Sequence, residues 1–172
     1  MSNPQLSLNI QDLMISHYIC YLMNSEDCTE ELCKERLESL GICIGKRITL
    51  LYSENMTIIN PDDFAVTRFI TGRVWPQAVM GRKLVYGDQS PVKLFLEKHQ
   101  EHLKKYTITD SAFNWPLLQT PASQNYDSLM LCFVSGLWKG FFAAFGFQTS
   151  VDSVYKDDKL TISAVFENPT MD

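Results

Sequence analysis

From Ser128 to Phe147 the chain reads SLMLCFVSGLWKGFFAAFGF, broken only by Lys139, two serines and three glycines, and this run decides which folds are open to it. A membrane-spanning helix needs about 20 apolar residues, and a lysine near its centre costs about 3 kcal/mol on insertion. Lys139 sits near the middle, and Gly136 and Gly140 stand four apart, so they share one helical face. The run therefore predicts a core helix that another backbone approaches closely.

With 172 residues the chain fits one domain over 1–172, with 1–7 expected to be flexible and 168–172 a tail. A net charge of -5 argues against a phosphate-binding surface and hence against nucleic acid as a partner. Cys20, Cys28, Cys33, Cys43 and Cys132 are odd in number and lack zinc spacing, which reads as reduced cytosolic thiols. The opening MSNPQLSLNIQDL has neither the basic region nor the apolar core of a secretory signal, so the Asn55-Met56-Thr57 sequon is expected to stay unglycosylated.

Helical spacing predicts a first helix over Leu8 to Met23. Asn9, Asp12 and Ser16 lie on one narrow side, while Leu13, Met14, Ile15, Tyr18, Ile19, Tyr21 and Leu22 cover the rest. Such a helix carries more apolar surface than one core contact hides, and calls for a second cover. A second helix starts at Thr29 as N-cap, with Glu30 and Glu31 in its first turn. Its stripe of Cys33, Leu37, Leu40, Ile44, Ile48 and Leu51 runs through Gly41 and Gly45, a pair that marks a groove for close packing.

Asn60-Pro61-Asp62-Asp63 reads as a cap and helix start, with a kink or break expected at Pro76. Gly81 to Gln89 reads as a loop, and Ser90-Pro91 as the opening of a short amphipathic helix through Val92, Leu96, His99 and Leu103. Tyr106 to Thr109 is a short strand candidate, and Gln119 to Asp127 a surface loop. Thr149 to Tyr155 and Leu160 to Phe166 alternate across the Lys156-Asp157-Asp158-Lys159 turn, which predicts a hairpin. The sum is an α+β fold with helices packed on one face of a small antiparallel sheet.

Three blocks stand in order: LESLGICIGKRI from Leu37, YTITDSAFNWPL from Tyr106, and LCFVSGLWKGFFAAFGF from Leu131, followed by the hairpin. Together they resemble the small-subunit superfamily of TRAPP, the transport protein particle that tethers vesicles and activates a Rab GTPase. Leu40-Gly41, Ile44-Gly45 and Arg47 match that family's first motif, and Gly136 with Gly140 its glycine-paired helix. The stretch DSAFNWPLL from Asp110 looks most like the subunit 6 branch, with the subunit 5 branch close behind. The family's central subunit carries an acylated cysteine upstream of an Asp-Phe pair. Here Pro61 stands at that position before Asp63-Phe64, so no lipid attachment carries over.

The resemblance implies a non-catalytic adaptor, cytoplasmic and peripheral at the Golgi and endoplasmic reticulum, with no cofactor. It would pair with a homologous small subunit, or with itself in isolation, and meet a Rab GTPase only through the complex. Helical stripes nominate Leu13, His17, Tyr18, Tyr21, Leu37, Leu40, Ile44 and Ile48 as interface positions. Catalytic readings find little support. His99 and His102 sit among charged residues, Asp62-Asp63 reads as capping and Asp157-Asp158 as a turn tip. No glycine-rich phosphate loop or metal-ligand spacing is present. Among the thiols, only Cys43, beside Lys46-Arg47, has a setting near that of a reactive cysteine. The rival from another class is a haem or lipid sensor of the same general architecture. Its pocket would lie against Trp138, Phe141, Phe142 and Phe145, and His17 would be its nearest iron ligand.

Overall fold

The computed structural model describes residues 10–25, 28–54, 62–85, 87–98, 103–113 and 124–167. The expectations for the two termini, for Pro61 and for His99 and His102 lie outside the described residues.

Helix α1 spans Ile10–Met23 and α2 spans Glu30–Ser53. Thr29 caps α2 as its composition predicts, its side chain accepting from the Leu32 N–H at 3.3 Å. The cap folds the preceding residue back onto the first turn, and Cys28 and Cys33 are joined in a disulfide with 6.0 Å between their Cα atoms. This corrects the reading of five reduced thiols.

Helix α3, Asp63–Phe69, is capped by Asp62, whose carboxylate accepts from the Ala65 N–H at 2.6 Å. The chain then continues as a π-helix over Ile70–Val79 that contains Pro76. Of the expected kink or break, the break does not occur, although the winding changes from α to π before Pro76. The wider π winding leaves room for a ring that clashes with the preceding turn of an α-helix, and the Met80 N–H reaches back five residues to the Trp75 carbonyl at 3.1 Å. A short 3-10 turn follows at Gly87–Gln89.

Strands β1 (Val92–Lys98), β2 (Leu103–Asp110), β3 (Thr149–Lys156) and β4 (Lys159–Glu167) form one antiparallel sheet in the order β1-β2-β4-β3. The predicted amphipathic helix from Val92 is therefore wrong. Val92, Leu94 and Leu96 alternate with Lys93, Phe95 and Glu97, and this period of two places them opposite Asp110, Ile108 and Tyr106 of β2. The expected short strand at Tyr106 is accordingly twice as long. The β3–β4 hairpin forms as predicted, with Asp157 and Asp158 at φ 53° and 55°, the left-handed geometry that a two-residue turn demands and aspartate tolerates.

Helix α4, Gln124–Ala143, starts inside the expected loop and lies between α2 and the sheet. Met130, Phe133, Val134, Leu137, Trp138, Phe141 and Phe142 are buried along it. Lys139 forms an ion pair with Glu38 of α2, which gives the one charge in the apolar run a partner. No described helix is long and apolar enough to cross a membrane. Gly41 and Gly45 of α2 meet α4 backbone to backbone. A Cβ on Gly41 would overlap the Phe133 carbonyl oxygen and one on Gly45 that of Leu137, while Gly136 and Gly140 face the carbonyls of Glu38 and Ile42. Four glycines thus set the distance between the two longest helices.

Between α4 and the sheet the space is filled by rings. Trp138 packs on Trp75 with centroids 5.4 Å apart, and Phe142 packs on Phe166 at 4.8 Å. The Trp75 ring N–H donates to the buried Asp110 carboxylate at 2.9 Å, and Arg82 donates to both Asp110 oxygens at 2.9 Å. That cluster ties the end of the π-helix to the end of β2. The α+β class and the placement of helices on one sheet face agree with the sequence reading.

Candidate partner interface

The inner side of α1 is the line Ser16, Ile19 and Leu22, all buried. Ser16 belongs to the polar side that alternation of composition would leave in water. It is instead enclosed with Ile19 and Leu22, and its hydroxyl shares a 3.1 Å hydrogen bond with the Tyr126 hydroxyl at the start of α4. Satisfying a buried hydroxyl in this way removes most of the cost of its burial. The helix is rotated accordingly, and its apolar surplus faces out: Met14 and Tyr21 are each 67% exposed, Met23 is 41% exposed, and His17 and Cys20 are exposed.

Of the nominated α1 positions, His17 and Tyr21 are on the open side and Tyr18 is half-buried against the core; the Leu13 side chain is outside the description. On α2, Leu37 is fully buried and presents no surface to a partner. Its place on the inner line Cys33, Leu37, Gly41, Gly45 and Thr49 follows from the i, i+4 spacing set by the two glycines. Leu40, Ile44 and Ile48 are half-buried beside that line and lean on the core. The same stripe ends in the open, where Leu51 is 65% exposed beside Leu50 and Tyr52. Leu50, Tyr52 and Met14 were missed as interface candidates. Their signal was an apolar residue falling off the buried stripe, visible only once the stripe's rotation is known. Arg47 is exposed, and the four glycines face inward, so the motif divides between packing and surface.

Among the described residues no group of His, Cys, Asp or Glu is placed to hold a metal ion. His17, the one imidazole considered for iron, is exposed on α1, away from the rings that fill the interior. Cys43 is exposed, as its setting beside Lys46 and Arg47 requires. Between α3 and β2, Asp63 accepts from Lys104 at 2.8 Å and from the Tyr106 hydroxyl at 2.8 Å. Burial tends to raise the Asp63 pKa, but those two hydrogen bonds outweigh it and hold the carboxyl below its ordinary value. Burial and the facing Asp63 carboxylate push the Tyr106 hydroxyl well above its own.

Residues 11–167 match the family model for the transport protein particle (TRAPP) component. Among solved structures, the chain is similar to trafficking protein particle complex subunit 3 from Naegleria fowleri, covalently bound to palmitic acid. The match has a TM-score of 0.61 and 11% identity, and covers 92% of this chain and 96% of that one. A Cs H-NOX mutant is similar at a TM-score of 0.48 and 13% identity, over 95% of this chain and 77% of that one. Comparison with curated proteins gives no match.

Proposed function

The chain belongs to the TRAPP component family, and from that premise we propose that it is a non-catalytic adaptor that pairs with a homologous small subunit through the outer faces of α1 and α2. The observation that carries this reading is the outward row of Met14, His17 and Tyr21, large side chains that the chain's own core leaves in water. Methionine and tyrosine are the residue types enriched in buried interface centres. A homologous partner would bring a related face and make a pseudo-symmetric pair. As a TRAPP component the protein acts in vesicle transport with other subunits. Tethering and Rab activation in ER-to-Golgi or Golgi traffic would belong to the assembled particle, held peripherally on the cytoplasmic side. The DSAFNWPLL stretch favours the subunit 6 branch over subunit 5.

Light scattering on the purified chain, alone and mixed with a TRAPP subunit 3, tests the pairing. A one-to-one complex is expected, and Met14→Asp with Tyr21→Asp should abolish it while leaving the circular dichroism unchanged. A complex that survives in the folded double variant, or a wild-type chain that stays monomeric with and without that subunit, would refute the proposed face.

A further inference from the structure

A groove of about 390 Å³ lies between the α3 and π-helical segment and strand β1. Its apolar walls include Phe64, Leu94 and Leu96, the last 50% exposed. Gly72 keeps it open, since nothing lies within 4 Å of where a Cβ would stand. The charged groups on it are Arg68, Arg82 and Lys83. Arg82 is committed to Asp110, whereas Arg68 and Lys83 have no carboxylate partner among the described residues. A chain of net charge -5 thus holds a local cationic groove.

Strand β1 is also an edge of the sheet, with a strand partner on one side only among the described residues. The Ser111 N–H donates to the Pro91 carbonyl, so Pro91 and every second residue after it bond toward β2. Val92 faces the other way: its N–H donates to the Ser90 hydroxyl and its carbonyl accepts from it. Ser90 therefore closes the first outward pair of this edge. By the same period, the N–H and C=O of Leu94 and Leu96 point off the sheet, and no partner for them is found among the described residues. The two residues that offer unpaired main chain are those whose side chains line the cationic groove.

We infer that this edge receives an extended, acidic segment of a partner protein as a fifth strand. Main-chain pairing to Leu94 and Leu96 would supply a register. Alternate side chains would enter the groove, with carboxylates meeting Arg68 and Lys83. The charge favours a partner over this chain's own undescribed segments, whose only carboxylates are Glu26, Asp27, Glu101 and Asp172. It also disfavours an anionic membrane, which an acidic protein meets with net repulsion. The inference is independent of the α1–α2 pairing, because it uses none of the same residues.

Two blocked seven-residue peptides, one alternating glutamate with valine and one alternating lysine with valine, test it against the full chain. Fluorescence anisotropy should give at least about tenfold tighter binding for the glutamate peptide, an advantage that falls with salt. Amide hydrogen exchange at Leu94 and Leu96 should slow on binding. Arg68→Glu with Lys83→Glu should erase the preference. Leu96→Pro deletes one outward N–H, keeps the β2 pairing, and should weaken binding about tenfold; if that variant does not fold, exchange in the wild type decides. No binding, equal affinity for the two peptides, or binding without slowed exchange would overturn the inference. So would Leu94 and Leu96 amides already protected in the free protein.

Discussion

Gly45→Ala should destabilise the protein by about 2 kcal/mol, although alanine is the better helix former. An added Cβ would overlap the Leu137 carbonyl oxygen and stand 3.0 Å from its carbon and 3.1 Å from the Leu137 Cα. All three are main-chain atoms of α4, so no side chain can turn aside and the helices must separate. Overpacking typically costs about 1–3 kcal/mol, and a rigid neighbour places this site at the upper end. Helix propensity returns about 1 kcal/mol. The control is Gly72→Ala, where nothing lies within 4 Å of the new atom, and a gain of about 0.5–1 kcal/mol is expected. Urea unfolding followed by circular dichroism reads both, and for a domain of this size the Gly45 variant should melt about 4–8 °C lower. Gly45→Ala with Gly140→Ala should cost less than the sum of the two, because the first substitution already opens the gap. A Gly45 variant at least as stable as wild type, with the Gly72 control behaving as expected, would refute the argument that backbone contact sets the helix spacing.

Arg82→Ala should cost about 3 kcal/mol in the same assay, since it leaves the buried Asp110 carboxylate without its cation. Ser16→Ala should cost about 1 kcal/mol by stranding the Tyr126 hydroxyl, and restoring stability with Tyr126→Phe in the same chain would identify the bond as the cause. Asp63 titrates below its unfolded value, so its stabilisation is full above about pH 4 and is lost as pH falls through the lowered folded value. Asp63→Asn should therefore lower the urea midpoint at neutral pH, and its deficit should shrink toward zero on acidification; a constant deficit across the acid range would contradict the assignment.

The elements that read correctly from sequence are those whose cause is local. Thr29 and the acidic first turn begin α2 because a cap is satisfied within one turn, and Asp157-Asp158 closes the hairpin because a two-residue loop admits few conformations. The paired glycines were legible for the same reason in reverse. Glycine costs a helix enough that two on one face call for a close neighbour in each segment, and the structure shows that α2 and α4 are each other's. At Pro76 the break was not realised, because a ring that breaks an α-helix is tolerated once the winding widens, and nothing local announces a π-helix.

The errors on β1 and α1 have a different origin, and it bears on the candidate site. Val92, Leu96, His99 and Leu103 fit a helical stripe while Val92, Leu94 and Leu96 fit a strand, and what decides is the partner strand β2, a non-local contact. On α1 the inward side is the one that buries Ile19 and Leu22, and Ser16 can go in with them because the hydroxyl of Tyr126, a hundred and ten residues away, satisfies it. Once Ser16 is inside, a helix with only three polar residues on that side must turn Met14, His17 and Tyr21 outward. A surplus of apolar residues was therefore readable from α1 alone, while the identity of the exposed ones was not. The proposed interface and the core of this helix are therefore linked: Ser16→Ala alone, which strands the Tyr126 hydroxyl, should loosen the α1 packing and, if the proposed pairing holds, weaken the complex in the light-scattering assay, although neither residue lies on the exposed face.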